Sequence, residues 1–357
     1  MTGEALALGA RNLLLNCAGL SAGDELLIIH EDPALGWHDL DAPHSVAREA
    51  EILGMRPRFL MVGAPGNDPD PVVEAAMADA PCVIFFARIG DQDRFGEPDP
   101  KRRKVMCYAR RADSLGSAFG VTDHSAMLAL KSAVNDALRK ATHIRITCPL
   151  GTDIGGANPA PDPDGPQDVT MQRFPVGVPM PLGAQTLDGT VVLARHLTPT
   201  GSKVYDPAWL DIPRPVTTRI EQGRILRFEG APDDIAAIQS HYAAVSRQFD
   251  IDPGIVHSWH AGIHPGCAYA WPAGNDPDRW SNSVFQNPRF LHFHTCGAYP
   301  PGEICWMVLD PTVELDGVPL WQDGALVPDG FPAIRAAIEA SPQLQALFAE
   351  PSRDVGV

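Results

Sequence analysis

The first part of the chain alternates short apolar runs with amphipathic stretches. A helical pattern over residues 6–17 precedes an apolar run over 24–30, which Gly23 and Pro33 bound. A second helix is expected over 45–53, with Ser45 as its cap, and a third over 71–78. Residues 59–62 and 82–86 read as further buried strands. Apolar strands without polar alternation, separated by helices, are the mark of a parallel sheet covered on both faces. A longer helix over 123–141 puts Met127, Leu130, Val134 and Leu138 on one face and offers Asp123 as its cap.

After about residue 143 the texture changes to short strand-like runs with many glycines and prolines. Residues 190–194, 219–226, 304–309 and 312–317 predict strands joined in hairpins, and helices stand out at 233–249 and 331–348. The proline-rich stretch 158–166 fits neither a helix nor a strand interior and predicts a loop, a candidate lid. The expected fold is an α/β domain with a largely parallel sheet over 1–143, followed by a β-rich α+β domain over 144–357.

Composition narrows the function. The 357 residues hold no apolar run of membrane-spanning length, and the first five lack the basic start and apolar core of a secretory signal, so a cytoplasmic protein is expected. A formal charge of −16 disfavours nucleic acid as partner. The one basic run, Lys101-Arg102-Arg103-Lys104, reads as a solvated polar connection. Seven scattered cysteines form no Cys-x-x-Cys pair, which argues against a disulfide framework or a zinc finger. Neither a dinucleotide fingerprint nor a phosphate-binding P-loop accompanies the α/β pattern.

Histidine is unevenly spread. Five of the twelve, His257, His260, His264, His292 and His294, fall between positions 257 and 294, and Glu303 follows closely. Imidazole is the commonest metal ligand and titrates near neutral pH, so the cluster points to a metal or acid/base centre, although single histidines often pack as ordinary half-buried residues. His292 and His294 sit two apart in a strand-like stretch, whose period of two turns both imidazoles to one face. The run from His257 to Gly266 has helical spacing, yet Gly262, Pro265 and Gly266 favour a strand end turning into a loop.

Several short motifs, in this order, resemble the aminopeptidase T superfamily over most of the chain. They are Ala10-Arg11-Asn12-Leu13-Leu14-Leu15-Asn16-Cys17, Gly23-Asp24-Glu25-Leu26-Leu27-Ile28, Gly151-Thr152-Asp153-Ile154, Phe174-Pro175-Val176-Gly177 and Leu315-Asp316-Gly317. That group contains thermophilic-type metallo-aminopeptidases and mononuclear iron enzymes that cleave 2,5-dihydroxypyridine. The resemblance implies an N-terminal α/β domain, a β-rich C-terminal domain carrying the metal, and a homo-oligomer. Its aminopeptidases use a glutamate in a Pro-x-Gly-Glu segment, where this chain has Pro175-Val176-Gly177-Val178, and valine cannot bind metal. A second family glutamate corresponds to His260, as in the ring-cleaving iron branch. Counting back from Leu315-Asp316-Gly317, the family's His-x-Asp pair corresponds to Glu303-Ile304-Cys305, with His292 and His294 as replacements just upstream. The two-metal site is thus dismantled and a single metal fits better.

The expected ligands are His260, His292, His294 and Glu303, a set that suits non-haem Fe(II) with open positions for O2 and a chelating substrate. The leading expectation is a dioxygenase-like enzyme that opens a hydroxylated or amino-substituted aromatic ring, with His257 or His264 moving protons as catalytic residues. A hydrolase using Zn or Mn at similar ligands is the alternative, and a non-catalytic family member the third. Trp259, Trp271 and Trp306 read as core or as walls of an aromatic pocket. Cys305 reads as a buried strand cysteine rather than a nucleophile or ligand, and Asp153 as turn chemistry or a contributor to the site.

Overall fold

The computed structural model describes residues 3–66, 70–92, 94, 99–159, 168–199, 205–297 and 302–357. From residue 160 onward, the loop expected over 158–166 lies outside the described residues. The strands run β1 (Glu25–Glu31), β2 (Arg56–Val62), β3 (Cys82–Phe86), β4 (Arg103–Cys107), β5 (His143–Thr147) and β6 (Asp153–Ala157). Next come β7 (Gln172–Phe174), β8 (Leu182–Gly183), β9 (Asp188–Thr198), β10 (Leu210–Glu221), β11 (Arg224–Glu229) and β12 (Val256–Ala261). The last are β13 (Phe290–Cys296), β14 (Glu303–Leu309), β15 (Thr312–Leu315), β16 (Val318–Gln322) and β17 (Ala325–Leu326).

The chain divides into two compact units. The first comprises Met1–Ala129, Val169–Val176 and Ser341–Pro351, the second Leu130–Asp168, Gly177–Ala340 and Ser352–Val357. A single cut at 143/144 therefore does not describe them. Residues 169–176 return to the first unit because β7 pairs in parallel with β4.

Among the described residues of the first unit, five strands form a parallel sheet in the order β2-β1-β3-β4-β7. Its core packs Leu13 and Leu14 with Ile28, Ile84, Phe86, Val105 and Phe174. The helix expected over 6–17 is an α-helix, Gly3–Arg11, that widens to π geometry over Asn12–Cys17. Ser45 does not cap its helix. That helix begins at Asp41, and the Ser45 hydroxyl donates to the Asp41 carbonyl within the first turn. The basic run is not wholly a connection either, since Arg103 and Lys104 open β4.

The second unit is built on an antiparallel sheet of twelve described strands. Its main path runs β17-β16-β15-β5-β6-β9-β14-β13-β12-β8, and the long β9 also carries β10 and β11. The expected hairpin over 312–317 turns on Asp316 and Gly317, both at positive φ, between paired Leu315 and Val318. Asp316 accepts hydrogen bonds from the Thr142 and His143 amides and the Thr142 hydroxyl, fastening that turn to β5. The helix expected over 331–348 is two, Pro332–Glu339 and Pro342–Ala349. Pro342 cannot continue a preceding helix, and Ser341 caps the new one.

Candidate metal centre

The centre of interest lies on three neighbouring strands, β12, β13 and β14. Between β13 and β14 the register is regular, with His294 opposite Cys305, His292 opposite Met307 and Cys296 opposite Glu303. His292, His294, Glu303, Cys305 and Met307 therefore share one face. Leu291, Phe293, Thr295, Ile304 and Trp306 occupy the other, where Phe293 and Trp306 pack with ring centroids 5.9 Å apart.

A bulge in β12 decides which face His260 joins. Val256 pairs with Thr295, but Ser258 pairs with His294, so His257 is one residue too many for a regular ladder. Counted from Val256 without that extra residue, Trp259 would oppose His292 and His260 would turn to the face of Leu291. With it, His260 lies opposite His292 and Ser258 opposite His294, while Trp259 faces Phe293.

The result is convergence. One nitrogen from each of His260, His292 and His294 lies within 4.8 Å of the others, and all three residues are buried. The ring centroids are 4.1 Å apart for His260 and His292, 5.1 Å for His260 and His294, and 4.9 Å for His292 and His294. His260 Nδ1 is 3.1 Å from the Pro179 carbonyl oxygen. A carbonyl only accepts, so the ring proton sits on Nδ1 and the lone pair on Nε2. That lone pair meets His292 Nε2 at 2.6 Å. Either His292 Nε2 carries a hydrogen and donates it to that lone pair, or a cation lies between the two nitrogens.

A second group joins His294, Glu303 and Cys305, again with one candidate ligand atom each within 4.8 Å of the others. His294 Nδ1 is 3.0 Å from Ser258 Oγ and 3.4 Å from Glu303 Oε1. Glu303 is 2 % exposed, and its backbone carbonyl accepts a hydrogen bond from the buried Tyr205 hydroxyl.

His257 and His264 join neither group. The half-buried His257 donates from Nε2 to the Cys296 carbonyl at 2.7 Å, and burial pushes its pKa down. His264 is fully buried, its Nδ1 accepting from the Gly266 amide at 3.2 Å. Trp259 and Trp306 are core on the face away from the imidazoles, while Trp271 is partly exposed beside Tyr269. Asp153 forms a bidentate pair with Arg145 on the exposed surface of β5 and β6, which holds its carboxyl below the usual range and gives it no part in the cluster. Ser258 went unmarked in the sequence because a strand serine is unremarkable until the register puts it opposite a histidine.

No protein-family model matches the chain, and no curated protein matches it in sequence. Among solved structures, that of 2,5-dihydroxypyridine dioxygenase from Pseudomonas putida KT2440 is similar with a TM-score of 0.60 and 13% identity, covering 92% of this chain and 98% of that one. Wild-type AmpT from Thermus thermophilus is similar with a TM-score of 0.48 and 12% identity, covering 91% of this chain and 99% of that one. The fold of the dioxygenase is thus the fold of this chain, as the resemblance read from the sequence motifs implied. Likeness at this identity speaks for the fold, and function has to be argued from the site.

Proposed function

We propose that the chain is a mononuclear metal-dependent enzyme in which His260, His292 and His294 hold one Fe(II) ion, and that it uses O2 to open a hydroxylated or amino-substituted aromatic ring. The observation that carries this reading is the convergence of the three imidazoles on one face of β12 and β13. The residues fit such an ion. Imidazole is a ligand common to divalent transition metals, and His260 already makes the Nδ1–H to carbonyl bond by which metal-ligating histidines aim Nε2. When bound, the ion supplies the one-electron chemistry that lets O2 react with an electron-rich ring.

The chain's own groups set the substrate class. Three neutral imidazoles and the single carboxylate beside His294 leave a dication with net positive charge, which favours an anionic oxygen chelator such as a deprotonated ring hydroxyl. Phe285 stands edge-on to His292 with centroids 5.6 Å apart and gives the ligand face an aromatic neighbour. Proton movement on the substrate falls to His257 or His264. Burial keeps His257 neutral near pH 7, and with its Nε2 proton committed to Cys296, Nδ1 is the nitrogen able to accept.

A hydrolase with Zn or Mn would draw on the same imidazoles, but Val178, fully buried where the peptidase glutamate is expected, counts against it. The test is elemental analysis of anaerobically purified protein, followed by assay of a panel of hydroxylated and amino-substituted benzene and pyridine rings with and without O2. Stoichiometric iron and O2-dependent ring opening are expected. Absence of any stoichiometric transition metal, or turnover of amides without O2, would remove the reading.

A further inference from the structure

Glu303 heads β14, carries a carboxylate in an almost fully buried position, and was expected to be a metal ligand. Its surroundings assign it a different task. Among the described residues, Glu303 groups with His294 and Cys305, whereas His294 also groups with His260 and His292, and no group joins Glu303 to those two. His294 Nδ1 already faces two oxygens, Glu303 Oε1 at 3.4 Å and Ser258 Oγ at 3.0 Å. Ser258 is fixed there by the bulge that sets it opposite His294. An imidazole has one further nitrogen, so Nε2 is the atom His294 contributes to the three-histidine group.

From this we infer that Glu303 acts on the metal through His294, as a positioning residue, rather than by ligating the ion. The inference rests on the three-histidine reading above. With the Ser258 hydroxyl hydrogen-bonded to Nδ1 and the carboxylate 3.4 Å from the same nitrogen, the negative charge favours the Nδ1–H tautomer, helps hold the ring plane and makes Nε2 a stronger donor. It also places a buried negative charge beside the cation without occupying a coordination position. A carboxylate kept off the ion would leave its remaining coordination positions to a chelating substrate and O2. Ser258 serves the same nitrogen as a second oxygen partner and limits rotation of the ring.

Titration of the metal-free protein with Co(II), followed by competition with a chromophoric chelator and by visible absorption, tests this directly. Wild type is expected to bind one Co(II). Glu303→Gln should still bind one, about 10- to 100-fold more weakly, with the wild-type absorption bands retained. Two results would overturn the inference. One is an affinity within about twofold of wild type, which leaves Glu303 no role at the centre. The other is a shifted spectrum with an affinity loss equal to that of His294→Ala, which makes Glu303 a ligand. Wild type failing to bind Co(II) at all would instead bring down the three-histidine reading, and the inference with it. Should Glu303→Gln not fold, long-range proton–nitrogen NMR on the wild-type Zn(II) form decides the matter: His294 is expected with Nδ1 protonated and Nε2 on the metal, and the reverse assignment refutes the claim.

Discussion

Replacing His260 and His292 by alanine, singly and together, separates a shared ion from ordinary packing. In the metal-free protein the two rings share one proton across 2.6 Å, so their coupling should equal a single buried hydrogen bond, about 1 kcal/mol net. Zinc, a redox-inert probe, changes that figure. At about a thousand times its dissociation constant, a ligand stabilises the native state by about 4 kcal/mol. If both rings hold the same ion, each single substitution forfeits all of this and the double substitution forfeits nothing more. The coupling measured in a double-mutant cycle then rises from about 1 to about 5 kcal/mol when zinc is present. Urea unfolding of the four proteins, with zinc and with a chelator, gives the eight free energies required. Equal coupling in both conditions, or zinc stabilising His260→Ala as much as wild type, would refute the claim that these rings grip one cation.

Two further outcomes follow from the same geometry. His124, buried beside Phe174, has its pKa lowered by burial to about 4, so the folded state refuses a proton that the unfolded chain accepts below about pH 6.5. Its contribution is complete above the unfolded value and is lost as pH falls from there toward the folded one. Between pH 7 and 5 the loss is about 2 kcal/mol, and urea midpoints of His124→Leu should show a pH dependence shallower than wild type by that amount. A difference of zero would mean that the ring protonates freely in the fold. On the sheet face away from the three imidazoles, Trp306 Nε1 donates to the Tyr242 hydroxyl at 2.7 Å, which also meets Thr295 Oγ1. Tyr242→Phe leaves that indole N–H buried without its acceptor, at a cost of about 1–3 kcal/mol in unfolding free energy. Because these groups face away from the imidazoles, its metal stoichiometry should match wild type, and a lost ion would contradict the two-faced layout.

Elements whose signal is local were legible in the sequence. Residues 82–86 form a strand between the expected ends, and Asp123 Oδ1 accepts from the Ala126 amide as a cap should. Met127, Leu130, Val134 and Leu138 are all buried, because helical periodicity survives any tertiary context that covers one face. Elements set by distant partners were not legible. β4 begins in a basic run and β7 is three residues long, and each is a strand because a neighbour supplies its hydrogen bonds. Pro342 splits the helix expected over 331–348 into two, a break whose signal is local, since proline cannot continue a preceding helix.

The candidate site divides along the same line. The period of two in Phe290–Cys296 was enough to put His292 and His294 on one face, since alternation is a property of a single strand. The placement of His260 needed more, because whether an isolated strand residue faces in or out depends on register, and here one extra residue at His257 reverses the answer. That reversal also brings Ser258 opposite His294, so one bulge supplies both a candidate ligand and an oxygen that steers a second. Sequence spacing made Glu303 a ligand because it lies close behind the histidines and carries the right charge. Register places it two pairs beyond His294, on the same face, with Oε1 3.4 Å from Nδ1 and grouped with His294 and Cys305. On the inference drawn above, the Glu303 charge acts through His294, where it strengthens an imidazole and leaves the cation's remaining positions to the substrate; the Co(II) titration of Glu303→Gln separates that role from direct ligation.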